Sequence, residues 1–224
     1  MFIPLLIAVV VGYLLGSLPF GHLVARAKGV DIFAVGSNNP GATNVRRVLG
    51  HGPGNWVLFL DALKGALASA WALLAHTTVS ASVRFDGTFA GLSFHVTGPD
   101  WVGVGVGGLL GALLGHAFSC FTRFRGGKGV ATGAGGFLVL FPLGTLVAAA
   151  VWGLTLALTR YASLASILAA LALPLAAWLL HGSLFLLGFT VAAAAFVIVR
   201  HRANVARLLA GTESRIGQTP SSPP

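Results

Sequence analysis

Phe2-Ile3-Pro4-Leu5-Leu6-Ile7-Ala8-Val9-Val10-Val11-Gly12-Tyr13-Leu14-Leu15-Gly16-Ser17 opens an apolar run that reaches residue 24 without a charged side chain. At about 1.5 Å of rise per residue, residues 2–24 make a helix of roughly 34 Å, enough to cross a hydrocarbon core of ~30 Å. The run lacks the basic n-region of a signal peptide, so it is expected to stay as a span. Six further apolar stretches follow, at about 55–76, 101–120, 130–141, 143–159, 161–180 and 183–200. The stretch at 130–141 is too short to cross straight, and is expected to end inside the protein near Pro142 or to pair closely with the next. Composition agrees. The 224 residues are 56% hydrophobic and 8% charged, with a mean hydropathy of +0.88, where a soluble domain carries roughly 25% charged residues. The expected class is an all-α integral membrane protein of about seven transmembrane helices, with residues 1–217 as one polytopic domain. The Pro/Ser-rich residues 218–224 read as a disordered tail.

Arg and Lys number 14 against 5 Asp and Glu, a balance that elsewhere would suggest nucleic acid. Their placement argues against it. Alternating the spans puts residues 25–54, 121–129, the Arg160 turn and the segment after 200 on one side. Together with Lys64, near the start of the second span, these segments hold every Lys and Arg except Arg84. The positive-inside rule then gives an outside N-terminus and a cytoplasmic C-terminus. The lone Cys120 excludes an internal disulfide framework and reads as a packing residue at a membrane edge.

Residues 77–100 form the longest external loop. Val83-Arg84-Phe85-Asp86-Gly87-Thr88-Phe89 alternates partly around Asp-Gly and reads as a short hairpin. Two motif matches here are read as coincidence. His95 and Asp100 have the H-x4-D spacing of a known acyltransferase class, but on the outer face, far from the basic loops. Gly103-Val-Gly105-Val-Gly-Gly108 matches G-x-G-x-x-G without any βαβ context. With Gly111 and Gly115 it is better read as a helix-packing face of small residues.

Chemistry concentrates elsewhere. Phe124-Arg125-Gly126-Gly127-Lys128-Gly129-Val130-Ala131-Thr132 is a basic, glycine-rich turn that opens into a helix. Missing Cβ atoms, a helix N-terminus with unpaired N–H groups, and two cations suit a phosphate. A topology-setting loop is the plainer alternative. Gly36-Ser37-Asn38-Asn39-Pro40-Gly41-Ala42-Thr43-Asn44-Val45-Arg46-Arg47 is dense in small neutral donors and ends in two arginines, although Thr43 or Asn44 could equally cap the helix that follows. Asp61 and Lys64 lie one turn apart within a span, either as a functional pair or as a structural one. Ser163 and Ser166 can aim hydroxyls from a helix start, or bond back to their own helix. His116 reads as a hydrogen-bonded core histidine. Arg200-His201-Arg202-Ala203-Asn204-Val205-Ala206-Arg207 alone would be a basic flank lying on anionic lipid. No histidine spacing suggests a metal, and no cofactor is expected.

These segments, together with Gly16-Ser17-Leu-Pro19-Phe-Gly21, Asp61–Gly65, Gly115-His116, Tyr161–Ser166 and Gly211-Thr212-Glu213, resemble in order the bacterial acyl-phosphate:glycerol-3-phosphate acyltransferase family, the membrane enzymes called PlsY. The resemblance covers nearly the whole chain, and its G-G-K-G-V-A-T and G-A-T-N-V blocks are specific. It implies seven helices, a cytoplasmic-facing site in the bacterial inner membrane, and transfer of an acyl group from acyl phosphate to the 1-hydroxyl of glycerol 3-phosphate. It further implies membrane lipid as the medium and a link to a soluble enzyme that makes acyl phosphate. Ser37, Arg47, Lys128, Ser166 and His201 would then be catalytic. Asn39, Thr43, Asn44, Gly126, Gly127, Gly129, Thr132, Ser163 and Asn204 would bind substrate phosphate. Three departures stand out: Asn38 where the family commonly has Gly, His22 for a usual Tyr, and Ser119-Cys120 where Pro is frequent. The alternative from residues alone is a transporter for a small anionic metabolite, against which stand the clustering of polar groups at one edge and the lack of a repeat.

Overall fold

The computed structural model describes residues 2–73, 85–89, 92–96 and 100–217. The chain runs α1 (Phe2–Ser17), α2 (Phe20–Arg26), α3 (Ala42–Leu49) and α4 (His51–Ser69), the last prolonged by a 3-10 turn at Ala70–Leu73. A hairpin of β1 (Phe85–Phe89) and β2 (Leu92–Val96) leads to α5 (Trp101–Ala117) and a 3-10 turn at Cys120–Thr122. Then come α6 (Val130–Leu140), α7 (Pro142–Thr159), α8 (Ala162–Leu179), α9 (Leu184–Arg200) and α10 (Arg202–Leu209). Among the described residues, five helical segments are long and apolar enough to span: Phe2–Arg26, His51–Leu73, Trp101–Thr122, Pro142–Thr159 and Ala162–Leu179. The pair α9 and α10 makes a sixth, bent by 61°. Helix α6, at 11 residues and about 16 Å, ends at Phe141, and Pro142 starts α7 where its missing N–H costs nothing.

Lipid supplies no hydrophobic drive between helices, so close contact of small residues must hold them. Helix α5 shows this. Side chains at Gly111 and Gly115 would collide with the Val9 and Tyr13 carbonyls of α1, and one at Gly108 with the Ala68 carbonyl of α4. The G-x-G-x-x-G match is thus a packing face. Beside it, Leu109, Leu113, Phe137, Leu173 and Ala193 form one apolar cluster. A second cluster of Ala25, Ile32, Val45 and Val57 lies under the first loop and ties α2, α3 and α4 together. Outward-facing Leu6, Val10, Leu14, Leu154 and Leu158 are exposed, as an acyl-chain environment requires.

The hairpin is present, but its reversal differs from the reading of Asp86-Gly87. Those residues lie inside β1, opposite His95 and Phe94, and Phe89 pairs with Leu92. Asp100 caps α5, accepting from the Val102 N–H at 3.1 Å. That bond explains an Asp five residues after His95 without catalysis. Cys120 is exposed rather than packed. The readings at 77–84, 97–99 and 218–224 lie outside the described residues.

Candidate active site

The first loop is built around Asn44. Its Oδ1 accepts from the Ser37 N–H at 2.9 Å and from Arg47 Nη1 at 3.4 Å, and its Nδ2 donates to the Val35 carbonyl at 3.0 Å. Asn44 is therefore buried and largely spent on shaping the loop. Asn38 adopts φ +54°, so an asparagine does stand in the left-handed conformation that a glycine would favour. Asn39 turns the chain by accepting from the Gly41 N–H at 2.9 Å and donates to the Gly126 carbonyl at 3.4 Å. That bond joins the first loop to the glycine turn.

Gly126 and Gly127, expected to cradle phosphate, are not among the residues that line the cavity described below. The Gly127 N–H donates to the His116 carbonyl at 3.0 Å. Side chains at Gly126 and Gly127 would meet the His116 carbonyl and imidazole. The missing Cβ atoms serve close packing against α5. Gly129 differs: it has φ +81°, caps α6 without any side-chain bond to the helix, and faces the cavity with Val130 and Ala131. The N–H groups of the first turn of α6 have no partner within the helix, an end whose chemistry suits an anion. Thr132, also expected at phosphate, is fully buried, and its carbonyl abuts Gly65 of α4.

The segment after α9 closes the arrangement. Asn204 Oδ1 accepts from Lys128 Nζ at 2.5 Å, and Asn204 Nδ2 donates to Glu213 Oε1 at 2.7 Å. Ser163 Oγ donates to the same oxygen at 2.7 Å, and Arg207 Nε pairs with Glu213 Oε2 at 2.7 Å. His201 Nδ1 lies 2.8 Å from the Val197 carbonyl. A carbonyl only accepts, so Nδ1 carries the proton and Nε2 keeps a free lone pair. Ser166 donates to the Ala162 carbonyl at 2.7 Å and accepts from Trp152 Nε1 at 3.3 Å. It thus bonds back to its own helix while still facing the cavity.

One cavity of about 1180 Å³ gathers these parts. Ser37, Asn39, Thr43, Asn44, Arg47, Lys128, Gly129, Ser163, Ser166, His201 and Asn204 all line it. Its inner part is apolar, lined by Leu113, Phe137, Ala148, Leu173 and Ala193. The volume exceeds the usual small-ligand range of about 300–1,000 Å³, and the two ends suit an amphiphile.

A glycerol-3-phosphate acyltransferase family model matches residues 6–211. A glycerol-3-phosphate acyltransferase of Synechococcus sp. (strain JA-3-3Ab) is 43% identical over 95% of this chain and 94% of its own length. One from Geobacter sulfurreducens is 44% identical over 94% and 96%. The chain belongs to the glycerol-3-phosphate acyltransferase family. Two crystal structures of PlsY, an integral membrane glycerol 3-phosphate acyltransferase, share 36% identity with it. The glycerol 3-phosphate form aligns with a TM-score of 0.81 over 95% of this chain and 96% of that one, and the lysophosphatidic acid form with 0.77 over 95% of each. The protein is therefore a multi-pass membrane acyltransferase of phospholipid synthesis, and the transporter alternative falls.

Two residues that line the cavity, Arg207 and Glu213, went unassigned in the sequence. Arg207 looked like lipid-facing charge. Glu213 carried no signal beyond its place in the Gly211-Thr212-Glu213 resemblance, because a carboxylate among phosphate donors is unexpected. Its role is electrostatic. Burial pushes the Glu213 carboxyl up, but hydrogen bonds from Asn204, Ser163 and Arg207 outweigh that and hold it below the usual carboxylate range. Burial pushes the Lys128 ammonium down, Glu213 opposes this, and Arg207, Arg200 and Arg47 push it further, to about 8. Arg47 is likewise lowered, first by burial, with Glu213 opposing and Arg207 adding. Arg47 and Lys128 thus act within one field. Among the described residues no three His, Cys, Asp or Glu side chains gather as a metal site.

Proposed function

We propose that the chain transfers an acyl group from acyl phosphate to the 1-hydroxyl of sn-glycerol 3-phosphate, giving 1-acylglycerol 3-phosphate and inorganic phosphate. The carrying observation is that a cation-rich polar end and an apolar inner end belong to one cavity. Glycerol 3-phosphate binds where Lys128, Arg47 and the first turn of α6 meet, and Ser37, Thr43 and Asn204 fix its orientation. The second phosphate, that of the donor, lies toward Arg207, whose guanidinium has N–H groups beyond the Nε that binds Glu213, and its acyl chain runs past Ser166 along Ala148, Phe137 and Leu173. The hydroxyl oxygen attacks the acyl carbon, the bond from that carbon to the phosphate oxygen breaks, and phosphate leaves with the electron pair. His201 Nε2 offers a lone pair for the hydroxyl proton. An acyl phosphate is an activated mixed anhydride, so alignment and charge neutralisation supply most of the acceleration.

The cations on one side of the spans support a site facing the cytoplasm, with the N-terminus outside, in a bacterial inner membrane. An acyl-phosphate donor in turn requires a separate enzyme that makes it. The test is purified protein with labelled glycerol 3-phosphate and either acyl phosphate or acyl-CoA. Product from acyl phosphate alone is expected; equal product from acyl-CoA refutes the donor.

A further inference from the structure

Arg200 sits at the end of α9, outside the cavity, and gives its guanidinium to backbone rather than to a carboxylate. Its Nε donates to the Gly127 carbonyl at 3.2 Å, and its Nη2 to the Gly127 carbonyl at 2.8 Å and the Gly126 carbonyl at 3.2 Å. The Phe118 ring lies against the guanidinium, 5.2 Å from its centroid. From the other side, the His116 carbonyl of α5 accepts from the Gly127 N–H. The next residue in the chain is Lys128, whose ammonium is held by Asn204, one helical turn beyond Arg200. The 61° bend between α9 and α10 lets neighbouring residues reach both ends of Lys128. A Gly-Gly pair is soft by itself, since it lacks the side chains that restrict φ and ψ. Asn39 Nδ2 and the His116 carbonyl each hold the turn at one point, whereas the Arg200 guanidinium grips both of its carbonyls.

We propose that Arg200 is a positioning residue: its planar fork fixes the Gly126-Gly127 turn, and thereby fixes where the Lys128 ammonium meets substrate phosphate. The inference rests on the reading of Lys128 as a phosphate ligand. A lysine in place of Arg200 keeps the charge but offers three rotatable donors on a flexible stem, which do not hold two carbonyls in one fixed plane as the rigid fork does. Arg200→Lys therefore removes the fork while leaving the field at Lys128 nearly unchanged.

The experiment uses the full-length enzyme in detergent micelles. Arg200→Lys is expected to raise KM for glycerol 3-phosphate roughly tenfold or more, with a smaller change in kcat. A second readout does not depend on turnover. The chain has only three lysines: Lys28 is exposed, Lys64 is buried, and Lys128 lies between these extremes. Acetic anhydride labelling followed by peptide mass mapping reports each one separately. Lys128 in Arg200→Lys is expected to label faster than in the unaltered enzyme, with Lys28 unchanged and Lys64 still protected. Guanidinium ion added to Arg200→Ala is expected to slow Lys128 labelling again. Unaltered KM together with unaltered Lys128 labelling in Arg200→Lys would overturn the clamp. Faster labelling of all three lysines would also overturn it, since the effect would then be general loosening. Full activity in Lys128→Ala would instead remove Lys128 from the site, while the labelling rates would still decide for or against the clamp.

Discussion

Lys64 and Lys128 are both largely enclosed, and both sit within reach of a carboxylate, yet they do opposite things. Lys64 Nζ touches Asp61 Oδ1 at 2.8 Å and the Leu18 carbonyl at 2.9 Å, and lies over the Phe20 ring. Asp61 in turn faces His116 Nδ1 at 3.6 Å. That charge is neutralised at contact by its own fold. Among the described residues, Lys128 Nζ is hydrogen-bonded only to a neutral amide oxygen, with Glu213 one hydrogen bond further away, and it opens on the cavity beside the first turn of α6. The difference lies in who completes the charge. A cation with a carboxylate at contact has its charge met within the fold; one whose carboxylate is a hydrogen bond further away is less fully compensated.

The largest expected effect falls on the structural lysine. Lys64→Met strands Asp61 without its contact cation and should cost about 3–5 kcal/mol, seen as a lowered thermal unfolding midpoint in detergent. Asp61→Asn combined with Lys64→Met should recover most of the loss. Wild-type unfolding of Lys64→Met would erase the contrast between the two lysines. Next comes Lys128→Ala, which should lower kcat/KM by roughly 10²–10³-fold, the effect of removing a charge-stabilising donor, while the unfolding midpoint stays near that of the unaltered protein.

A pH series sharpens the same contrast. Lys128 is charged below about pH 8 and neutral above it, and only the charged form attracts phosphate. In the free enzyme kcat/KM for glycerol 3-phosphate should therefore fall above that pH, by about tenfold per unit. Lys128→Arg stays charged past pH ~12 and should abolish this basic limb. Glu213 raises the Lys128 pKa, so Glu213→Gln should move the limb to lower pH. A limb that does not respond to either change belongs to another group. The smallest effect is expected at Trp152. Trp152→Phe removes the bond to Ser166 Oγ, worth about 0.5–1.5 kcal/mol, and should slow turnover by no more than about tenfold.

Much of the site was readable in one dimension. Ser37, Asn39, Thr43, Asn44 and Arg47 of the first loop and the lysine after the glycines line the cavity, and each stood out as part of a local cluster of donors; His201 and Asn204 line it too, but only the family resemblance singled them out. Gly126, Gly127 and Thr132 lie off the cavity for a common reason. A glycine or threonine near a helix start has the same appearance whether it meets a ligand or a neighbouring helix, and here His116, Arg200 and Gly65 take those places. Asn44 is a mixed case: it faces the cavity, but its amide is committed to Val35 and Ser37.

Local patterning alone settled the membrane class and the apolar stretches, since hydropathy and helical rise are properties of consecutive residues. The family, too, was legible in short blocks of unbroken chain. Tertiary structure alone decided which donors are spent inside the fold, that Glu213 returns to bind Ser163, Asn204 and Arg207, and that Lys64 is sealed while Lys128 opens on the cavity. Those outcomes depend on which acceptor lies within about 3 Å of each donor, and residues as distant in sequence as Lys128 and Asn204 meet at that range only after the helices have packed.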